Sequence, residues 1–169
     1  RHDAEGRCVL PGFVDAHTHP VFARWRDDEF ARRCRGESYE AILAAGGGIL
    51  ASAKALEGTP KAALVAHLRG VFDHVLLHGT TTLEAKSGYG LTHEAELKSL
   101  TAIREAARGA PLTVVPTFLG AHALPAAYAD RRAAYVRLVT DVMIPEVARR
   151  RLAVFCDVFC EVGAFTIRE

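Results

Sequence analysis

Apolar positions along the chain fall into short dense runs and longer helical stripes that take turns. Val9, Leu10, Phe13 and Val14, punctuated by Pro11 and Gly12, make Cys8 to Ala16 read as a short buried strand. Arg24 to Ser38 is dense in charge, the pattern of a solvated face. Tyr39 to Ala45 is spaced as a helix, and Gly46, Gly47 and Gly48 break it, giving a mobile loop or room for another group to come close. At Thr59-Pro60 a clear helix is predicted to start, with Thr59 as its cap and Pro60 in the first helical position. Leu64, Leu68, Val71 and Val75 would line one face of it, and Gly79 would end it. Thr80 to Lys86, rich in β-branched residues, predicts a second strand.

The pattern then repeats. Thr92 is placed to cap a helix whose buried side holds Leu97, Leu100, Ile103 and Ala107, with Glu94 and Glu96 near its positive end and Gly109 beyond its last turn. Leu112 to Leu119 predicts a third strand in spite of Pro116. Ala126 to Arg151 predicts a helical region with Tyr135, Leu138, Val139 and Val142 inward and a kink or restart at Pro145. Ala153 to Cys160 predicts a fourth strand, and Phe165 to Glu169 the first turn of a helix capped by Thr166. Strands alternating with helices imply parallel strands covered by helices. A doubly wound sheet and a (β/α)8 barrel both fit. No GxGxxG follows the first strand, which counts against a dinucleotide binder. A barrel of this kind takes about 250 residues, so four strands would be half of one. The chain also begins on Arg1 and stops at a helix start, so a fragment is expected.

Composition narrows the classes. The 169 residues are 50% hydrophobic and 24% charged, as in a globular domain. With 21 basic and 20 acidic residues, nothing favours nucleic acid or an anionic membrane as partner. There is no apolar run long enough to span a bilayer and no signal peptide, which leads to the expectation of a cytoplasmic protein. Cys8, Cys34, Cys156 and Cys160 form no CxxC pair and are expected to be reduced packing residues.

Chemistry collects where strands end. Asp15, His17 and His19 close the first strand, Lys86, Ser87 and Tyr89 the second, His122 the third and Glu161 the fourth. In a parallel α/β protein those carboxyl ends build the active site. Residues two apart on a strand face the same way, so His17 and His19 present two imidazoles together, two ligands for a divalent metal. A catalytic site of this sort wants a third protein ligand. His122 could be that ligand, a proton shuttle or a substrate contact. His67, His74 and His78 read as surface or packing residues. Arg24, Arg26, Arg32, Arg33 and Arg35 are either a solvated face or the source of one arginine that grips a carboxylate. Tyr39 and Tyr89 could stack on a flat ring or donate a hydrogen bond.

These residues resemble a known family. PGFVDAHTHPVF is similar to the first barrel strand of the amidohydrolase superfamily. RDDEFARRCRGESYEAI, AAGGGI, GTTTLEAKSGYGL, VVPTFLGAHALP, MIPEVA and FCDVFCEVGAF resemble, in order, the imidazolonepropionase family of histidine degradation. The resemblance implies a parallel (β/α)8 barrel, here its first four βα units, over residues 1–169, with residues 1–7 left from an N-terminal β-sandwich. It implies one Zn2+ or Fe2+, a homodimer when full length, and hydrolytic ring opening of 4-imidazolone-5-propanoate to N-formimidoyl-L-glutamate. His17 and His19 match the family's metal pair, and Arg26, Tyr39, Tyr89 and His122 match its substrate contacts. The family's third metal histidine, metal aspartate and catalytic glutamate lie on later strands, outside this chain, so Glu161 does not take the glutamate's place. Another amidohydrolase, such as a cytosine or guanine deaminase or a dihydroorotase, shares the HxH pair and the barrel. A non-catalytic metal-binding βα module is the alternative of another class.

Overall fold

The computed structural model describes residues 3–169. Arg1 and His2 lie outside the described residues; Asp3 to Arg7 form a turn in which Arg7 N–H donates to the Ala4 carbonyl. Four parallel strands follow in spatial order β1 (Phe13–Asp15), β2 (Thr80–Lys86), β3 (Thr113–Ala121) and β4 (Phe155–Val158). Register is unbroken between β2 and β3, from Thr82 opposite Thr113 to Lys86 opposite Thr117. It shifts once at each outer pairing. Helices fill every return, which is how parallel strands must be joined. The result is the expected partial α/β barrel.

Between β1 and β2 lie α1 (Asp27–Cys34), α2 (Tyr39–Ala44), α3 (Gly48–Gly58) and α4 (Lys61–Leu77). The supposed solvated stretch thus contains a helix, and one of its acids, Glu29, is buried. The three glycines are no simple loop. Gly48 opens α3, and its N–H donates to Glu29 Oε1 at 3.0 Å, so the close-approach reading is the right one. Thr59 belongs to the helix before it: its hydroxyl donates to the Ala55 carbonyl, and the first turn of α4 hangs instead on the Pro60 carbonyl. Phe72, rather than Val71, completes the buried face of α4 with Leu64, Val65 and Leu68.

Between β2 and β3 runs α5 (His93–Ala106), capped by Thr92 Oγ1 on Ala95 N–H as expected. It packs on α4 and on the sheet, and so buries residues on two sides. Between β3 and β4 the expected long helix is broken into a 3₁₀ turn (Ala126–Tyr128), α6 (Arg132–Arg137), a π-helical stretch (Leu138–Met143) and α7 (Ile144–Arg149). Pro145 has no N–H to give the preceding turn, and α7 begins beside it. The wider π turn brings Met143 inward with Tyr135 and Val139 and leaves Val142 exposed. At the end, Thr166 N–H donates to Glu169 Oε2 and Glu169 N–H to Thr166 Oγ1, the reciprocal bonds of a capping box.

The core lies between the sheet and these helices, around Leu68, Phe72, Leu83, Leu100, Ile103, Phe118 and Tyr135. The outer strands differ from their sequence expectation. β1 and β4 are shorter than predicted, and Phe13, Val14, Phe155 and Val158 are exposed. All four cysteines are free, as expected, but exposed rather than packed.

The sheet's other face is polar. Lys86 Nζ donates to Asp157 Oδ2 at 2.6 Å and to Glu84 Oε1 at 3.0 Å, and Thr117 Oγ1 donates to the same Glu84 oxygen. So Asp157 and Phe159 belong to the inner face, while Cys156 and Val158 line a recess of about 410 Å3 with Val136, Val139 and Ile144. Hydrogen bonding from Lys86 holds the Asp157 carboxyl below its ordinary 3.8. Burial works against the Lys86 ammonium, but its bonds to Asp157 and Glu84 outweigh that and raise its pKa. No helix among the described residues is long and apolar enough to cross a membrane.

Two outcomes follow. Leu100→Ala empties a fully buried position and should lower the unfolding free energy by about 3 kcal/mol in denaturant titrations, whereas Leu77→Ser, at an exposed one, should change it by less than about 0.5 kcal/mol. Because the Asp157 pKa is depressed on folding, its contribution is present above the unfolded value near 3.8 and is lost as pH falls through the folded one. Melting temperatures taken across that acid range should drop more steeply for the native chain than for Asp157→Asn.

Candidate active site at the strand ends

The carboxyl ends of three strands bring their side chains to one place. After β1 the backbone stays tied to β2: Lys86 N–H donates to the Thr18 carbonyl, and the Thr18 hydroxyl to the Glu84 carbonyl. This clamp sets the position of the residues on either side of Thr18. His17 and His19 lie with ring centroids 5.2 Å apart, one edge toward the other. His19 stacks on His122 at 4.9 Å with an interplanar angle of 17°, and Tyr89 lies 5.4 Å from His19 and 5.5 Å from His122. Four predicted residues from β1, β2 and β3 therefore form one cluster, with Phe159 beyond β4 edge-on to His122 at 5.8 Å.

Burial disfavours the charged form of His19 and His122. Burial, followed by the nearby His122 and His17, lowers the His19 pKa to about 4. Burial also lowers His122, against an opposing bond to Gly88, and raises the Tyr89 phenol. Neutral imidazole is the form that binds metal. His19 Nδ1 is buried without a hydrogen-bond partner, an orphan lone pair or N–H of the kind a ligand would satisfy. The pair therefore fits two corners of a metal site. Among the described residues no group of three or more His, Cys, Asp or Glu is arranged to hold an ion, so His122 does not complete the set here.

His122 is held another way. Its Nδ1 lies 2.8 Å from the Gly88 carbonyl, which can only accept, so Nδ1 carries the hydrogen and Nε2 keeps its lone pair. Gly88 has to be glycine. Its φ is +108°, and a Cβ there would sit 2.9 Å from His122 Nδ1. At Gly90 a Cβ would come within 2.6 Å of the backbone at Ala95 and Glu96. The two glycines on either side of Tyr89 let this loop lie flat against the start of α5.

Arg26 and Tyr39 come from the segment over the strand ends. Arg26 lines a recess of about 200 Å3 with His19 and Tyr89, and a second of about 460 Å3 with Tyr39, His122, Leu124 and Phe159. Glu29 Oε2 lies 3.7 Å from the Arg26 guanidinium. Arg24 and Arg32 are paired with Asp28 and Glu37 respectively, so these two belong to the charged surface. Glu161 is exposed and outside the cluster. His67 packs edge-on against Phe22 at 4.3 Å, as a packing residue would.

Sequence reasoning passed over Glu29, Asp157 and Glu96. Glu96 was legible. It stands four residues before Leu100 and seven before Ile103, on the stripe that α5 buries. Glu29 and Asp157 carry no such signal, because only tertiary contacts bury the first and pair the second.

No protein-family profile matches the chain. Individual proteins do. It is 52% identical over 168 residues to the imidazolonepropionase of Symbiobacterium thermophilum, covering 99% of this chain and 40% of that protein. It is 50% identical over 167 residues to those of Syntrophobacter fumaroxidans and Geobacillus thermodenitrificans, in each case over 99% of this chain and 39% of the relative. The chain thus spans about 40% of the length of the curated relatives it matches. By sequence, then, these 169 residues are similar to a stretch of about 40% of each of those imidazolonepropionases, and here that stretch forms a partial barrel with the strand-end cluster at its edge.

Proposed function

We propose that the protein carrying this sequence opens the ring of 4-imidazolone-5-propanoate by hydrolysis to N-formimidoyl-L-glutamate, a step of histidine degradation. The observation that carries this reading is the cluster of His17, His19, Tyr89 and His122 at the ends of three parallel strands. The names of the relatives supply the substrate. The chain would contribute residues 1–169 to one barrel domain. In the same reading, residues 1–7 would join an N-terminal β-sandwich.

His17 and His19 would hold a divalent ion, zinc or iron(II), with further ligands from elsewhere in the protein. Such an ion lowers the pKa of a bound water and polarises a carbonyl. The rest falls to side chains. The Arg26 guanidinium offers a two-pronged grip on the substrate carboxylate, and Glu29 restrains it from behind. Tyr89, its phenol kept protonated by burial, can donate to a ring oxygen or nitrogen. His122 Nε2 can accept a hydrogen bond from the ring. His122 is also stacked on His19. Two imidazoles without a third ligand make a weak metal site, so the 169 residues alone should show no turnover. The comparisons do not favour a deaminase, a dihydroorotase or a non-catalytic module.

The intact protein should hydrolyse the imidazolone, with about one metal per active chain. Replacing both His17 and His19 with alanine should remove the metal and the activity together. Arg26→Lys should raise KM roughly 10- to 100-fold, since lysine loses the bidentate geometry. A metal-free intact enzyme at full activity, or no hydrolysis by the metal-loaded one, would refute the proposal.

A further inference from the structure

Glu96 has no exposure to solvent, and no lysine or arginine is bonded to it among the described residues. Burying a carboxylate is costly unless its oxygens are filled. They are filled entirely by one loop. Oε1 accepts from Gly90 N–H at 2.7 Å, Leu91 N–H at 3.0 Å and Gly88 N–H at 3.1 Å, and Oε2 accepts from Gly88 N–H at 2.9 Å. Capping α5 does not require this, because Thr92 already does it. An apolar residue would suit the surrounding core better than an acid. What the carboxylate holds is the turn that carries Tyr89, and the Gly88 peptide whose carbonyl accepts from His122 Nδ1. Tyr135, also buried, ties the same loop to the exit of β3, its hydroxyl lying 3.0 Å from the Leu91 carbonyl and 2.8 Å from that of Gly120.

Resting on the imidazolone reading above, we infer that Glu96 is a positioning residue of that site: its carboxylate sets the Gly88–Leu91 turn, which places Tyr89 and, through the Gly88 carbonyl, fixes the orientation and tautomer of His122. The path is Glu96 to the Gly88 N–H, then across that residue to its carbonyl, then to His122. Glutamine is the informative replacement. It is the same size, yet whichever way its amide turns, an NH2 group faces a loop N–H where an acceptor stood.

The test has two arms. In the intact zinc-loaded protein, 15N spectra at a pH where the ring is neutral should show His122 as the Nδ1–H tautomer, and Glu96→Gln should shift it toward a mixture. An Nε2–H tautomer in the native protein, or an unchanged one in Glu96→Gln, overturns the inference. This arm needs no substrate, so it stands whether or not imidazolone is hydrolysed, and its native measurement survives if the variant does not fold. The second arm is kinetic. Glu96→Gln should lower kcat/KM roughly 10- to 100-fold, the range seen when the outer partner of a site residue is lost. In a background lacking both groups it positions, Tyr89→Phe with His122→Ala, most of that loss should vanish, whereas in an Arg26→Lys background it should persist in full. A loss of equal size in both backgrounds would mean a general structural role and would also overturn the inference.

Discussion

Parallel strands cannot be joined by tight turns, and from that constraint the rest of this molecule follows. Each return must travel the length of the sheet, and here each does so through helices packed on one face of it. All carboxyl ends then fall on one edge. Side chains 103 residues apart, His19 and His122, meet there because topology and not sequence distance decides who are neighbours. The same constraint gives the sheet two unlike faces. One is apolar, with Leu83, Ala85 and Phe118 against the helices. The other carries Glu84, Lys86, Thr117 and Asp157 in a single bonded network, which spares each charge the cost of standing alone.

The site is built by small rigid devices rather than by the strands alone. Thr18 clamps the end of β1 onto β2. Gly88 and Gly90 let the next loop press against α5, and the Glu96 carboxylate and Tyr135 hydroxyl hold it there. Over the strand ends, Glu29 joins α1 to the start of α3 while restraining Arg26. Lys98 Nζ donates to the carbonyls of Leu56, Glu57 and Thr59 and so finishes the other end of α3. Each device puts a buried or half-buried polar group to use where an apolar residue would pack as well but would not fix a direction. Arg26 and Tyr39 reach the recess because α1 to α3 are moored in this way.

Strand and helix alternation, the two same-face histidines, the capped start of α5 and the glycines around Tyr89 were all readable from local pattern. β2 was read with its observed bounds, Thr80–Lys86, because β-branched residues and flanking glycines mark it. Other elements were misread where local signals compete. Gly48 looks like a helix breaker, but Glu29 accepts its N–H and a helix starts there. Thr59 could close one helix or open another, and the Ala55 carbonyl claims it. The last helical region carries an apolar stripe that a straight helix would bury, yet the π-helical stretch shifts the inward side to Met143 and exposes Val142.

By itself, then, the sequence determined the class of architecture, the edge of the sheet where chemistry would gather, and the residue types brought to it. Periodicity, capping and glycine placement are properties of neighbours along the chain, and they act before any long-range contact forms. Only the tertiary structure decided that His19 stacks on His122, that Asp157 rather than Cys156 faces inward to Lys86, and that Glu96 serves the loop rather than the helix dipole. Those outcomes depend on which distant groups share a low-dielectric space, where an unpaired polar atom is too costly to leave, and no local pattern encodes that choice.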